Sequence, residues 1–247
     1  MENAILIGLS RQVALSRELD VIANNVANIG TNGFKGRTTR YQEFTSPSAR
    51  ANTFMPMDRS VSFVADKGTP LDITAGAIER TGAPLDAAIK GDGYFVVQTP
   101  QGERYTRNGS FEINATGQLV TTDGYAVVGE SGPIVISPSE SGVNIAKDGT
   151  VATLQGQRGR IRLVKFDNPQ SLINESANVF SSTTAPQPVG ATAQVEAGSL
   201  ERSNVKPVLE MARLIQVNRS YASIASTLSR MDELRRSAIQ KLADTTA

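Results

Sequence analysis

The sequence predicts an α+β fold: long N- and C-terminal helices paired as a coiled coil, an extended connector, and a central all-β domain. Three observations predict it. Apolar residues recur at alternating spacings of three and four over residues 3–29 and again over 205–242. Between these ends the apolar runs shorten, and Asn-Gly, Asp-Gly and Thr-Gly pairs separate them. Catalysis rarely requires helices at both ends with strands between; lateral assembly often does.

The first helix is expected over 3–29. Leu15, Leu19, Ile22, Val26 and Ile29 follow an a/d spacing, while Ile5, Leu9 and Val13 form an upstream stripe rotated from that seam. The segment lacks Pro and would be roughly 40 Å long. Residues 23–35, Ala-Asn-Asn-Val-Ala-Asn-Ile-Gly-Thr-Asn-Gly-Phe-Lys, read as a heavy stop. Asn24, Asn25 and Asn28 offer amides to free helix carbonyls, Gly30 and Gly33 permit left-handed backbone, and Phe34 supplies an apolar anchor. Three Asn, two Gly and one Phe are more than a cap requires.

Residues 36–80 read as an extended connector, with a short strand suggested at Val61–Val64. Residues 81–198 read as a β-domain of sandwich, barrel or roll type. Its strands are expected at Tyr94–Val97, Tyr105–Arg107, Phe111–Ile113, Leu119–Thr121, Tyr125–Val128, Ile134–Ile136, Val143–Ile145, Gly149–Val151 and Ile161–Val164. Residues 181–199, rich in Ala, Thr, Pro and Gln, resemble a return connector. The last segment, 199–247, carries a helix from about 205 to 242, with Ser203 or Asn204 as cap and Pro207 in its first turn. Leu214, Val217, Tyr221, Ile224, Leu228, Met231, Arg235, Ala238 and Leu242 keep heptad spacing, apolar at every position but Arg235. At roughly 57 Å this helix is longer than a compact domain of this size is wide. Residues 1–35 and 203–247 together are expected to form an inner core domain.

Composition narrows the function. The 25 basic and 24 acidic residues give a net charge of +1, so no bulk field favours nucleic acid or an anionic membrane. Residues 201–247 carry eight basic and five acidic residues, a balance that a solvated helix face explains. Cys, His and Trp are absent. The common zinc, haem and iron–sulfur ligand sets therefore cannot form, nor can Ser-His-Asp or Cys-His machinery or any disulfide. The opening Met-Glu-Asn and the short apolar run Ala4–Ile7 do not resemble a cleavable signal peptide, and no apolar window is long enough to span a membrane.

Weaker signals read as structure. Gly91-Asp92-Gly93 lacks the third Gly and the strand–turn–helix context of a nucleotide loop, and reads as a tight turn. Asp123-Gly124 and Asp148-Gly149 lack the spaced acidic series of a calcium loop and read as hairpin turns. Asp232 and Glu233 are adjacent on a helix and diverge, so they cannot face one substrate. No catalytic, cofactor or metal residue is assigned, and no small-molecule substrate is expected.

The motif at 23–35 resembles the N-terminal signature of the flagellar axial proteins, met here by Ala23, Asn24, Asn25, Ala27, Asn28, Thr31, Gly33, Phe34 and Lys35. Leu200-Glu201-Arg202-Ser203-Asn204-Val205 followed by Glu210-Met211 is similar to the family's C-terminal signature. Gly91–Phe95, Tyr105–Phe111, Thr116–Val120 and Asp123–Tyr125 look like its central β-domain. Within the family, the opening residues 1–12 and the segment Val128–Ile134 look most like a proximal-rod subunit, with a distal-rod or hook paralogue as the alternative. A β-domain hydrolase or adhesin is the remote alternative outside the family.

The resemblance implies a structural subunit of the basal-body rod, a helical drive shaft that transmits torque across the periplasm. It implies an inner wall of paired terminal helices and export through the flagellar type III apparatus without a cleaved signal peptide. Its partners would be other rod proteins and copies of itself, and it implies no cofactor. Carried onto this sequence, the N-terminal subunit-packing positions are Leu15, Leu19, Ile22, Asn24, Asn25, Val26, Asn28, Gly33 and Phe34. The C-terminal ones are Ser203, Asn204, Leu214, Val217, Tyr221, Ile224, Leu228 and Met231.

Overall fold

The computed structural model describes residues 2–46, 61–176, 178–190 and 193–244. It bears out the α+β architecture: N- and C-terminal helices in contact with one another flank a central antiparallel β-domain. The chain divides into two compact units. One comprises Met1–Val26, Arg37–Pro70 and Pro207–Ala247; the other comprises Ala27–Gly36 and Leu71–Lys206.

In the first unit, α1 (Glu2–Ala27) and α2 (Pro207–Asp244) carry the predicted seams. Along α2, Leu214, Val217, Tyr221, Ile224, Leu228 and Met231 are each at least half-buried, while most residues between them are exposed. Past Met231 the helix is exposed at every residue up to Lys241, Arg235 and Ala238 included; the side chain of Leu242 lies outside the described residues. Along α1, Ala14 and Ile22 are buried and Leu15, Leu19 and Val26 are half-buried. The helices touch directly. Arg213 forks onto Glu18 Oε1 with bonds of 2.8 and 3.0 Å, and a Cβ on Gly8 would stand 2.6 Å from Leu228 Cδ2. The α1 helix ends at Ala27, so Ile29, expected inside it, falls in the turn beyond.

The same unit holds an antiparallel ribbon, Tyr41–Ser46 with Val61–Asp66, in which Phe44 lies opposite Phe63. Part of the stretch read as connector is thus a paired ribbon, extending the suggested strand at Val61–Val64 by two residues; residues 47–60 lie outside the described ones. Tyr41 Oη donates to the Ala14 carbonyl of α1 at 2.8 Å.

The second unit is built on a ten-stranded antiparallel sheet. Its central strand, Tyr94–Thr99, pairs with Gly102–Thr106, Ala126–Gly129 and Leu163–Lys165. This strand shows why the sheet is covered on both faces. Alternate side chains point to opposite sides of a strand. Tyr94 and Val96 enter one apolar cluster with Tyr105, Val128, Val164 and Phe180, while Phe95 enters the other with Phe111, Leu119, Val127 and Ile161. A three-stranded sheet (Asn144–Ile145, Thr150–Thr153, Gly156–Arg160) and two strand pairs complete the unit. The pairs are Gln194–Ala197 with Ala87–Lys90, and Ser199–Glu201 with Ile78–Arg80.

Turn chemistry placed most hairpins. Gly102, Gly117, Gly124 and Gly149 all have positive φ at the expected strand connections. Three expectations are corrected. Asn108-Gly109 is not a hairpin turn: the Asn108 side chain accepts from the Ser110 amide, and the Gly109 carbonyl accepts from Ala87. Ile134–Ile136 is not a strand but packs its two Ile side chains into the core, with only a single bridge at Val135. The stretch 181–199 is not a plain return connector, because Gln187–Pro188 and Gln194–Ala197 pair with distant strands; residues 191–192 lie outside the described ones.

Candidate functional site: the chain crossings and the exposed helix faces

The chain passes between the two units four times, at 26/27, 36/37, 70/71 and 206/207. Each unit has an asparagine that ties its share of these crossings. In the first unit, Asn25 is buried at the end of α1. Its Oδ1 accepts from the Arg37 amide and its Nδ2 donates to the Arg37 carbonyl, each at 2.9 Å. The amide was expected to cap α1; instead it holds the chain where it returns at Arg37, twelve residues on. In the second unit, Asn204 Oδ1 accepts from the Gly36 amide at 2.8 Å, and its Nδ2 donates to the Asp72 carbonyl at 2.9 Å. Asp72 in turn donates from its amide to the Gly36 carbonyl. Two chain segments beside the crossings, at Gly36 and Asp72, are thus bonded to the side chain of a third. Asn204 therefore does not cap α2. The nearest cap-like contact is weak, from the Val205 amide to Ser203 Oγ at 3.3 Å, and Pro207 opens the helix as expected.

The Asn/Gly motif closes over a buried ionic cluster. Gly33 has φ +70°, and its amide donates to the Glu201 carbonyl at 2.7 Å. A Cβ there would lie 2.4 Å from both Arg107 C and Asn108 N, so only glycine fits. Gly30, expected to share this freedom, has no positive φ and open space around it. Phe34 is buried, and the Asn28 side chain accepts from Thr31 Oγ1 at 3.1 Å. Beneath the loop, Lys35 Nζ donates to Glu201 Oε1 at 2.6 Å and to the Thr74 carbonyl at 2.7 Å. Lys35 and Glu201 are both 1% exposed. Arg107 reaches Glu201 Oε2 at 3.3 Å and the Gly91 carbonyl at 3.0 Å, and its guanidinium stands 5.1 Å from the centre of the Tyr94 ring. Burial pushes the Lys35 amine below its ordinary range, opposed by Glu201; burial also pushes the Tyr94 phenol up.

Sequence reasoning assigned no role to Lys35, Arg107 or Glu201 beyond motif matching. Lys35 and Glu201 stand 166 residues apart, and Arg107 and Glu201 stand 94 apart, so no local spacing links them. Of the positions expected to pack against neighbours, Ile22, Asn25, Gly33, Phe34 and Val217 are buried within the chain, and Asn24 is exposed. Leu15, Leu19, Val26, Asn28, Ser203, Asn204, Leu214, Tyr221, Ile224, Leu228 and Met231 are half-buried. Other apolar side chains on the same helices are exposed. Leu6, Leu9 and Val13 lie along α1, and Val208 (80% exposed), Met211 (54%) and Ile215 (53%) run along α2 at spacings of three and four. These residues follow helical spacing along each helix. No helix among the described residues is long and apolar enough to cross a membrane.

Three family models match the chain. One described as flagella basal body rod protein matches residues 5–35, the flagellar hook protein FlgE/F/G D1 domain matches 88–153, and the flagellar basal body rod FlgEFG protein C-terminal region matches 196–241. The flagellar basal-body rod protein FlgF of Caulobacter vibrioides is 42% identical, over 98% of both chains. FlgF of Mesorhizobium japonicum is 34% identical over 92% of both. The rod protein FlgG of Bacillus subtilis is 32% identical over 95% of this chain and 97% of its own.

Proposed function

The chain belongs to the flagellar basal-body rod family as a non-enzymatic structural subunit that assembles with other rod proteins, and we propose that it occupies the proximal rod. The 42% identity to the FlgF of Caulobacter vibrioides, over nearly the whole of both chains, supports that position over the distal rod. In this reading the subunit polymerises with copies of itself and with its rod neighbours into the shaft that carries torque across the periplasm. In the same reading it leaves the cell through the flagellar type III apparatus.

One observation carries the reading: the helix pair of the first unit leaves a regular apolar stripe, Val208, Met211 and Ile215, uncovered. A monomer gains nothing from such a stripe, whereas a stacked subunit buries it. A head-to-tail contact that does not close on itself produces an open filament. The half-buried seam positions Leu214, Tyr221, Ile224, Leu228 and Met231 hold α2 for that contact, and Asn25, Gly33 and Phe34 hold the crossings from which the helices depart.

The test is complementation of a deletion strain with Met211→Asp/Ile215→Asp. The deletion is expected to halt assembly at the rod, seen by electron microscopy of isolated basal bodies. The double variant, exposed in the monomer, is expected to fold with wild-type helicity yet fail to restore the rod. Full restoration by the double variant, or a normal filament in the deletion strain, overturns the reading.

A further inference from the structure

Glu201 is the acceptor on which three distant segments of the second unit converge. Its Oε1 takes bonds from Lys35 Nζ and from the Gly76 amide at 2.9 Å, its Oε2 from Arg107, and its backbone carbonyl from Gly33. Its strand, Ser199–Glu201, pairs with Ile78–Arg80. The loop 27–36, the segment 71–77 and that strand therefore close on one carboxylate that water does not reach. Two cations face it, and Arg107 Nε has no hydrogen-bond partner among the described residues.

Charges buried this deeply are tolerated only in company. An ammonium or carboxylate left alone in such a site carries a large desolvation penalty, and removing one member of a buried pair is far more damaging than replacing both. If the loop docked without the strand, Lys35 would be buried against the Thr74 carbonyl alone. If the strand docked without the loop, Glu201 would lose its shortest bond. Neither half-docked arrangement is balanced.

We propose that Glu201 is a clasp that makes docking of loop 27–36, segment 71–77 and strand Ser199–Glu201 onto the β-domain a single cooperative event. The N-terminal motif cannot close until the chain is available as far as Asn204, so closure of the chain crossings is tied to the last part of the second unit. The lowered amine of Lys35 agrees with this, since burial, together with the neighbouring Arg107, outweighs its attraction to Glu201 and Asp72.

The test is hydrogen exchange on the full-length chain, comparing peptides that cover 30–36, 72–78, 196–203 and the central strand 94–99. Glu201→Gln keeps the shape and the Gly76 acceptor but removes the charge. It is expected to speed exchange in the first three peptides together, on the order of 100-fold, with 94–99 within roughly threefold of wild type. Faster exchange confined to 196–203, or no change in 30–36, overturns the proposal. Should Glu201→Gln open the whole sheet, the triple variant Lys35→Met/Arg107→Met/Glu201→Gln decides, because it leaves neither cation unpaired. Removing all three charges is expected to restore protection of 30–36 and 94–99 to within about tenfold of wild type. If the triple variant stays as open as the single one, the clasp does not act through the ionic cluster and the proposal fails.

Discussion

Gly33 and Gly30 lie three residues apart in one motif, and the structure assigns them opposite sensitivities. Gly33→Ala places an L-residue at φ +70°, which costs about 1–2 kcal/mol. Its Cβ would also lie 2.4 Å from Arg107 C and Asn108 N and 2.8 Å from Arg107 O. These are backbone atoms held beside the buried ionic cluster, so they cannot swing aside as a side-chain end would. The loop must lift instead, lengthening the 2.7 Å bond from the Gly33 amide to the Glu201 carbonyl, worth about 1 kcal/mol. The expected loss is about 3 kcal/mol. Gly30→Ala meets nothing within 4 Å and needs no left-handed backbone, so it should fall within about 0.5 kcal/mol of wild type or be slightly stabilising. Urea unfolding of both variants, followed by the β-sheet circular dichroism signal, measures the difference. Equal midpoints for the two variants would refute the assignment of Gly33 as the strained position.

The other expectations are as specific. Asn204→Ala should cost about 2 kcal/mol in the same unfolding assay, since it strands the Gly36 amide and the Asp72 carbonyl, whereas Asp92→Ala, at an exposed turn, should stay within about 0.5 kcal/mol. Leu228→Pro, inside α2 and next to Gly8, should cost about 3 kcal/mol or more and abolish rod incorporation in basal-body preparations. Burial raises the phenols of Tyr94 and Tyr105 above 10.0, with Arg107, Glu201 and Asp92 acting on Tyr94 besides. The folded state then holds protons that the unfolded state releases. The stability they contribute is fully present below pH 10 and is lost as pH rises through the folded values. Ultraviolet titration should show late phenolate formation, and Tyr94→Phe should remove amplitude from the high-pH end; loss of amplitude near pH 10 instead would contradict it.

Periodic features of this chain were legible because they are local. The α2 seam from Leu214 to Met231 repeats within one helix, and the turns at Gly102, Gly117, Gly124 and Gly149 each involve neighbouring strands. What escaped was set by distant partners. Gly156–Arg160 is polar and becomes a strand only against Thr150–Thr153, and Ser199–Glu201 becomes one only against Ile78–Arg80, some 120 residues away. Asn25 and Asn204 looked like helix caps because an asparagine near a helix end is usually one. Their true acceptors and donors, at Arg37 and at Gly36 and Asp72, belong to segments whose return no local pattern announces. The Lys35–Glu201–Arg107 cluster is the extreme case: the motif match drew in Lys35 and Glu201, and only the fold explains why they are charged.

A density map of the intact rod tests the central claim most directly. The account predicts this subunit within the rod, with α1 and α2 paired and Val208, Met211 and Ile215 buried against a neighbouring subunit. A rod in which that stripe faces solvent, or from which the subunit is absent, would contradict it.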